Sequence, residues 1–79
     1  MYSMAQATKL RRIRENLGAT QEGVTRRTRS LAVRTYVRAE DGERVTYGTA
    51  MQILDAINEL LAERGRPPVT VDDLGLTLY

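Results

Sequence analysis

Cysteine and histidine are both missing from the 79 residues, and their absence removes several chemistries at once. No disulfide framework and no thiolate metal site can form. Zinc held by imidazole and a histidine-dependent nucleophilic triad go with them. Asp and Glu remain as ligand types, but carboxylates alone favour hard cations, and no Asp/Asn ladder of a calcium loop is present. Also missing is any apolar run of about 18 residues or more, the length a membrane-spanning helix needs. Residues 1–8 lack the basic-then-apolar layout of a signal peptide, so a soluble, cytoplasmic protein without membrane contact or cofactor is expected. No nucleophile–base pair stands out, so an enzyme is not expected. There are no internal repeats and no low-complexity segments. A chain this short makes one domain at most, and its core must come from apolar helix faces or from pairing with a second copy.

What the sequence does have is an uneven distribution of charge. The formal net charge is only +2. Lys9 to Arg44, however, carries ten basic residues against five acidic, a net +5, while Val45 to Tyr79 carries two against five, a net −3. A cationic first half and an anionic second half give one face that attracts phosphates. Eleven of the twelve basic residues are arginine, whose planar guanidinium fork suits bidentate contact with phosphates and base edges. The plainer reading, that these arginines only solvate helix faces, does not account for the asymmetry.

Hydrophobic periodicity supplies the elements. Leu10, Ile13 and Leu17 fall on one stripe of an amphipathic helix expected over 5–17, with Gly18 as its stop. Thr20 reads as an N-cap for a second helix over 21–28, with Glu22 in its first turn and Val24 as its clearest core residue. Gly23 inside that helix costs about 1 kcal/mol relative to alanine. Arg29, Ser30 and Leu31 form a break. A third helix over 32–40 turns Tyr36 and Ala39 inward and Val33, Arg34, Val37 and Arg38 elsewhere. Asp41-Gly42 is a turn signal. Thr46 then caps a fourth helix over 47–64, whose Ala50, Ile53, Leu54, Ile57, Leu60 and Leu61 give the strongest periodicity in the chain. Pro67-Pro68 forces an extended link. Val69 to Leu74 reads as a strand or as a last helical turn capped by Thr70, and the tail to Tyr79 alternates like a half-buried strand. The expectation is an all-α bundle of four to five helices over residues 1–66, with residues 67–79 as a C-terminal extension.

Two short helices joined by a tight break, the second rich in arginine, have the layout of a helix-turn-helix, in which the second helix enters the major groove of duplex DNA. Residue identities add to this. Leu10, Ile13-Arg14, Leu17-Gly18, Thr20-Gln21-Glu22, Val24, Thr35-Tyr36, Arg38-Ala39-Glu40-Asp41-Gly42 and the helix from Thr49 to Ile57 together resemble the Cro/repressor-type (XRE) helix-turn-helix family, over about two-thirds of the chain. The resemblance implies a lambda-repressor-like fold and a set of roles. Gln21 looks like the residue that anchors a phosphate at a helix N-terminus. Val33, Arg34 and Arg38 fall where the family's recognition helix faces bases: arginine suits guanine O6 and N7, and valine a thymine methyl. Thr35 and Arg44 look like backbone contacts, and Arg14 and Glu40 match a pair joining helix 1 to the end of the recognition helix. Arg26, Arg27 and Arg29 either meet phosphates or form a solvated face. Tyr36 reads as core rather than a stacking platform. The chain departs from the family at the break, where Arg29-Ser30 replaces the usual glycine and the segment is one residue longer.

One recognition helix reads only about four base pairs, so specificity calls for two copies on a pseudo-palindromic site. Leu60, Leu61, Leu74, Leu76 and Leu78 are more apolar surface than so small a monomer easily covers, and they are the expected dimer interface unless the tail folds back on its own core. The function implied is a transcriptional regulator, most simply a repressor. The alternative is a DNA-binding antitoxin whose C-terminal segment clamps a toxin.

Overall fold

The computed structural model describes residues 8–79, and within them the chain forms five helices and a two-residue parallel bridge. The order is α1 (Lys9–Asn16), α2 (Gln21–Arg26), α3 (Val33–Glu40), β1 (Arg44–Val45), α4 (Tyr47–Glu63), α5 (Val71–Leu74) and β2 (Thr77–Leu78). This is a small all-α bundle. Among the described residues no helix is long and apolar enough to cross a membrane.

Local chemistry sets most boundaries. The hydroxyl oxygens of Thr8, Thr20 and Thr46 each accept a backbone N–H three residues on, from Arg11 at 3.2 Å, Gly23 at 2.9 Å and Thr49 at 3.2 Å. Each satisfies one donor that a helix start leaves bare. Helix α1 therefore opens at Lys9 behind its cap Thr8; the part of the expected helix over 5–7 lies outside the described residues. Helix α2 ends at Arg26, two residues earlier than its periodicity suggests. There the Thr28 hydroxyl donates to the Thr25 carbonyl at 2.6 Å and accepts the Leu31 N–H at 3.3 Å, which turns the chain away from the helix axis. The helix-breaking Gly23 has a packing reason: a Cβ built on it would stand 3.0 Å from the capping oxygen of Thr20.

The core runs along α4, whose Ala50, Ile53, Leu54, Ala56, Ile57, Leu60 and Leu61 are buried. Each large aliphatic side chain taken out of water there is worth about 1.5–3 kcal/mol. Leu10 and Leu17 of the α1 segment, Val24 of α2, Tyr36 and Ala39 of α3, and Val45 of β1 close the same core.

The tail belongs to this core. Leu74 is fully buried, Val69, Val71 and Leu76 pack against the cluster, and Leu60 and Leu61 are covered. The expected dimer interface therefore needs correcting: four of its five leucines are used within the monomer, and only Leu78 remains exposed. The fold-back has identifiable anchors. After Pro67-Pro68 the Asn58 side chain acts as a surrogate strand, accepting the Val69 N–H at 2.8 Å and donating to the Val69 carbonyl at 3.2 Å. The Thr70 amide and hydroxyl both donate to the Asp73 carboxylate, at 2.9 and 3.1 Å, which resolves Val69 to Leu74 into an extended entry and one helical turn. The chain then reverses at Gly75, where φ is +66° and a Cβ would meet Lys9 side-chain carbons at 3.3 Å. The left-handed backbone favours glycine there, and any added Cβ would also need the Lys9 side chain to give way. Beyond it, β2 runs parallel to β1 with Arg44 opposite Thr77 and Val45 opposite Leu78.

Candidate nucleic-acid interface

The geometry of α3 is set by the bonds on its inner face. Tyr36, Ala39 and Glu40 are buried. The Glu40 side chain is only 1% exposed and would be an isolated buried charge without partners. It has three bonds. Arg14 of α1 grips it side-on, with Nε to one oxygen at 2.5 Å and an Nη to the other at 3.2 Å, and Gln21 Nε2 donates to it at 3.0 Å. The remaining Arg14 Nη donates to the Ala19 carbonyl at 2.9 Å, tying the α1–α2 link into the same network. Burial alone would raise the Glu40 pKa and is the largest single influence. The Arg14 and Gln21 hydrogen bonds and the neighbouring phenol outweigh it and hold the carboxyl below its ordinary value. The adjacent Tyr36 hydroxyl is buried without a hydrogen bond of its own, and burial first, then Glu40, pushes its pKa up. One carboxylate thus joins α1, α2 and α3.

With that face fixed, the outer face of α3 is determined by the helical repeat. Val33, Arg34 and Arg38 are exposed, as expected for groups that reach outward, while Thr35 and Val37 are half-buried. Among the described residues Arg34, Arg38, Arg26, Arg29 and Arg44 take part in no ion pair. The start of α3 is also bare: Ala32 occupies the N-cap and supplies no side-chain bond to the first-turn amides.

Three of the expected contact residues come together. Thr35, Arg38 and Arg44 border one shallow depression of about 220 Å3, between the end of α3, β1 and the start of α4. Arg29 lies elsewhere, on a separate groove of about 540 Å3 between the α2–α3 link and α4. Arg26 is exposed near the end of α2. Gln21 is engaged inward: one of its amide protons goes to Glu40, leaving the second to meet any phosphate. Arg27, unlike Arg26 and Arg29, has acidic partners: it donates to Glu63 at 2.6 and 3.1 Å and to Glu59 at 3.5 Å, linking the end of α2 to α4. That bond draws the Glu63 pKa down.

The long α2–α3 link needs no glycine, because no non-glycine residue in the described chain has positive φ. Its backbone is satisfied by side chains instead, with the Ser30 N–H donating to Gln52 Oε1 of α4 at 3.2 Å. Two aromatic residues are exposed. Tyr47 opens α4 and is 64% exposed; Tyr79 is 82% exposed and borders the depression with Arg38 and Arg44. The place of Tyr47 directly after the cap Thr46 is a local signal of its exposure, whereas the position of Tyr79 depends on the fold-back.

Comparison of the chain with protein-family models, with curated proteins and with solved structures yields no match. The functional reading rests on the residues themselves.

Proposed function

We propose that this chain binds double-stranded DNA in a sequence-specific manner and acts as a transcriptional regulator, most simply a repressor, with α3 as its recognition helix. The observation that carries the proposal is the two-sidedness of α3. Its inner face is locked by the Arg14–Glu40–Gln21 network, and its outer face presents Val33, Arg34 and Arg38 with no internal partner. A helix of fixed orientation carrying unpaired guanidiniums suits the major groove, where arginine bonds guanine O6 and N7 in bidentate fashion. Thr35 and Arg44, beside Arg38 on the same depression, suit the flanking phosphates.

Because a single α3 reads so few bases, two copies on a pseudo-palindromic site are part of the proposal. The alternative, a DNA-binding antitoxin, would have to take its toxin on a segment whose Val69, Val71, Leu74 and Leu76 already pack against the core.

Equilibrium binding to a duplex DNA and to an RNA duplex of the same sequence, across a salt series, tests the proposal. DNA should win, and log K should fall by about 0.9 per phosphate contact for each unit of log salt. Equal affinity for both duplexes, or affinity insensitive to salt, would contradict it.

A further inference from the structure

We propose that the returning tail is part of the DNA interface, with the Tyr79 hydroxyl completing a seat for a backbone phosphate beside Arg38 and Arg44. This rests on the DNA-binding reading above and adds to it a contact from outside the helix-turn-helix.

The fold-back to Leu76 is explained by core burial, since Leu74 is fully buried and Leu76 half-buried. Core burial does not explain the last three residues. Thr77, Leu78 and Tyr79 are all exposed, yet they continue in register along β1, and the Tyr79 N–H donates to the Val45 carbonyl at 3.2 Å. Strand alternation decides which side chain points where. Leu78 is opposite Val45 and shares its inward face, while Thr77 is opposite Arg44 and shares its outward face. Tyr79, two residues beyond Thr77, falls on the Arg44 side again. The pairing therefore sets Tyr79 beside Arg44, on the rim of the depression that Arg38 and Thr35 also border.

The chemistry of that depression fits an anion. Arg44 supplies a guanidinium to it, Arg38 borders it from the α3 side with its own reach toward bases, and Glu43 is the one acidic side chain among its lining residues. Thr46 uses its hydroxyl in capping α4 and donates its proton to the Thr49 oxygen at 3.1 Å, so Thr49 keeps its own proton to give. Thr35, Thr49 and Tyr79, which line the same depression, thus offer hydroxyl donors beside Arg44. A phosphate diester of duplex DNA, carrying one negative charge and two acceptor oxygens, matches this set. Its position next to the end of α3 is where a strand flanking the major groove passes.

The test uses the full chain with Tyr79→Ala and Tyr79→Phe. Affinity is measured on a preferred duplex and on a random-sequence duplex at one salt concentration, with thermal unfolding of each variant as a check on folding. Loss of one hydrogen bond to an anionic phosphate should weaken binding by about ten- to hundredfold. The factor should be the same on both duplexes, because a phosphate carries no sequence information. Tyr79→Phe should show most of that loss. Unchanged or tighter binding by Tyr79→Ala overturns the inference, as does a Tyr79→Phe variant that binds like the unaltered chain. If the unaltered chain binds no duplex at all, the DNA-binding reading itself falls, and this inference with it.

Discussion

Helices α3 and α4 are held in the bundle by opposite means. The longer, α4, has 17 residues, a threonine cap and seven buried side chains, all apolar. Its hold on the core is spread over many contacts, each replaceable. The shorter, α3, has eight residues, no side-chain cap and three buried residues, one of them the charged Glu40. Its orientation is concentrated at one carboxylate bonded to α1 and α2. Apolar packing fixes how stable the bundle is, but it is tolerant of small rotations. A bidentate ion pair is not, and a helix that must present chosen side chains to a groove benefits from the stricter constraint.

That contrast can be broken most severely at Arg14. In Arg14→Ala the Glu40 carboxylate stays buried without its cation, and the expected loss of folding stability is about 3–5 kcal/mol by denaturant titration. DNA affinity should drop further than the folded fraction explains, because α3 is no longer held at its angle. A variant that unfolds like the original chain would show that the network is not what fixes α3. A smaller effect, confined to binding, is expected at the outer face. Arg34→Ala or Arg38→Ala should each cost about 1–3 kcal/mol on the preferred site and relax preference at one base position, with the unfolding midpoint unchanged. Equal losses on random DNA would reassign that arginine to a phosphate. Smaller again is the trimming of α4. Ile57→Val removes one methylene from a fully buried position and should cost about 0.5–1.5 kcal/mol of stability, with site preference intact; a changed preference would mean that α4 also sets the angle of α3.

Acid acts on the same carboxylate that orients α3. Glu40, Glu63 and Asp73 all have folded pKa values below their ordinary ones. A depressed carboxyl contributes stability that is fully present above its unfolded value and is lost as pH falls through its folded value. Stability should therefore hold level between about pH 8 and 6, where no histidine titrates, and decline once pH drops below the ordinary glutamate value of 4.5. Arg14→Ala, whose Glu40 has lost its main partner, should show a shallower acid decline. An equally steep curve would place the acid sensitivity in Glu63 and Asp73 instead.

Much of this architecture is legible in residue patterns, and the exceptions share a physical cause. The periodicity of α4 and the cap at Thr46 locate that helix to within a residue, since both signals are local. The stops at Gly18 and Gly65, the turn at Asp41-Gly42, the inward Tyr36 and the Arg14–Glu40 bond are all present in the structure. Of the four residues expected off the inner face of α3, Val33, Arg34 and Arg38 are exposed and Val37 is half-buried. Gln21 is legible as a helix opener but not as a partner of Glu40, because that bond spans 19 residues and no local pattern encodes it. Arg27 looks like its neighbours Arg26 and Arg29, and only the closeness of α2 to α4 separates it from them. The parallel bridge is two residues long on each side, too short for alternation to announce β1. The surplus of leucines past Asn58 could equally have served a second copy, and what decides for the chain's own core is the anchoring of Val69 on Asn58 together with the reversal at Gly75.

Selection of bound duplexes from a random-sequence DNA pool tests most directly whether α3 reads DNA. The expected result is enrichment of one pseudo-palindromic motif, with half-sites of about four base pairs set roughly one helical turn apart, and loss of one specified base in each half-site when the pool is selected with Arg34→Ala or Arg38→Ala. A pool that retains its random composition after selection, or an enriched motif that neither substitution alters, would contradict it.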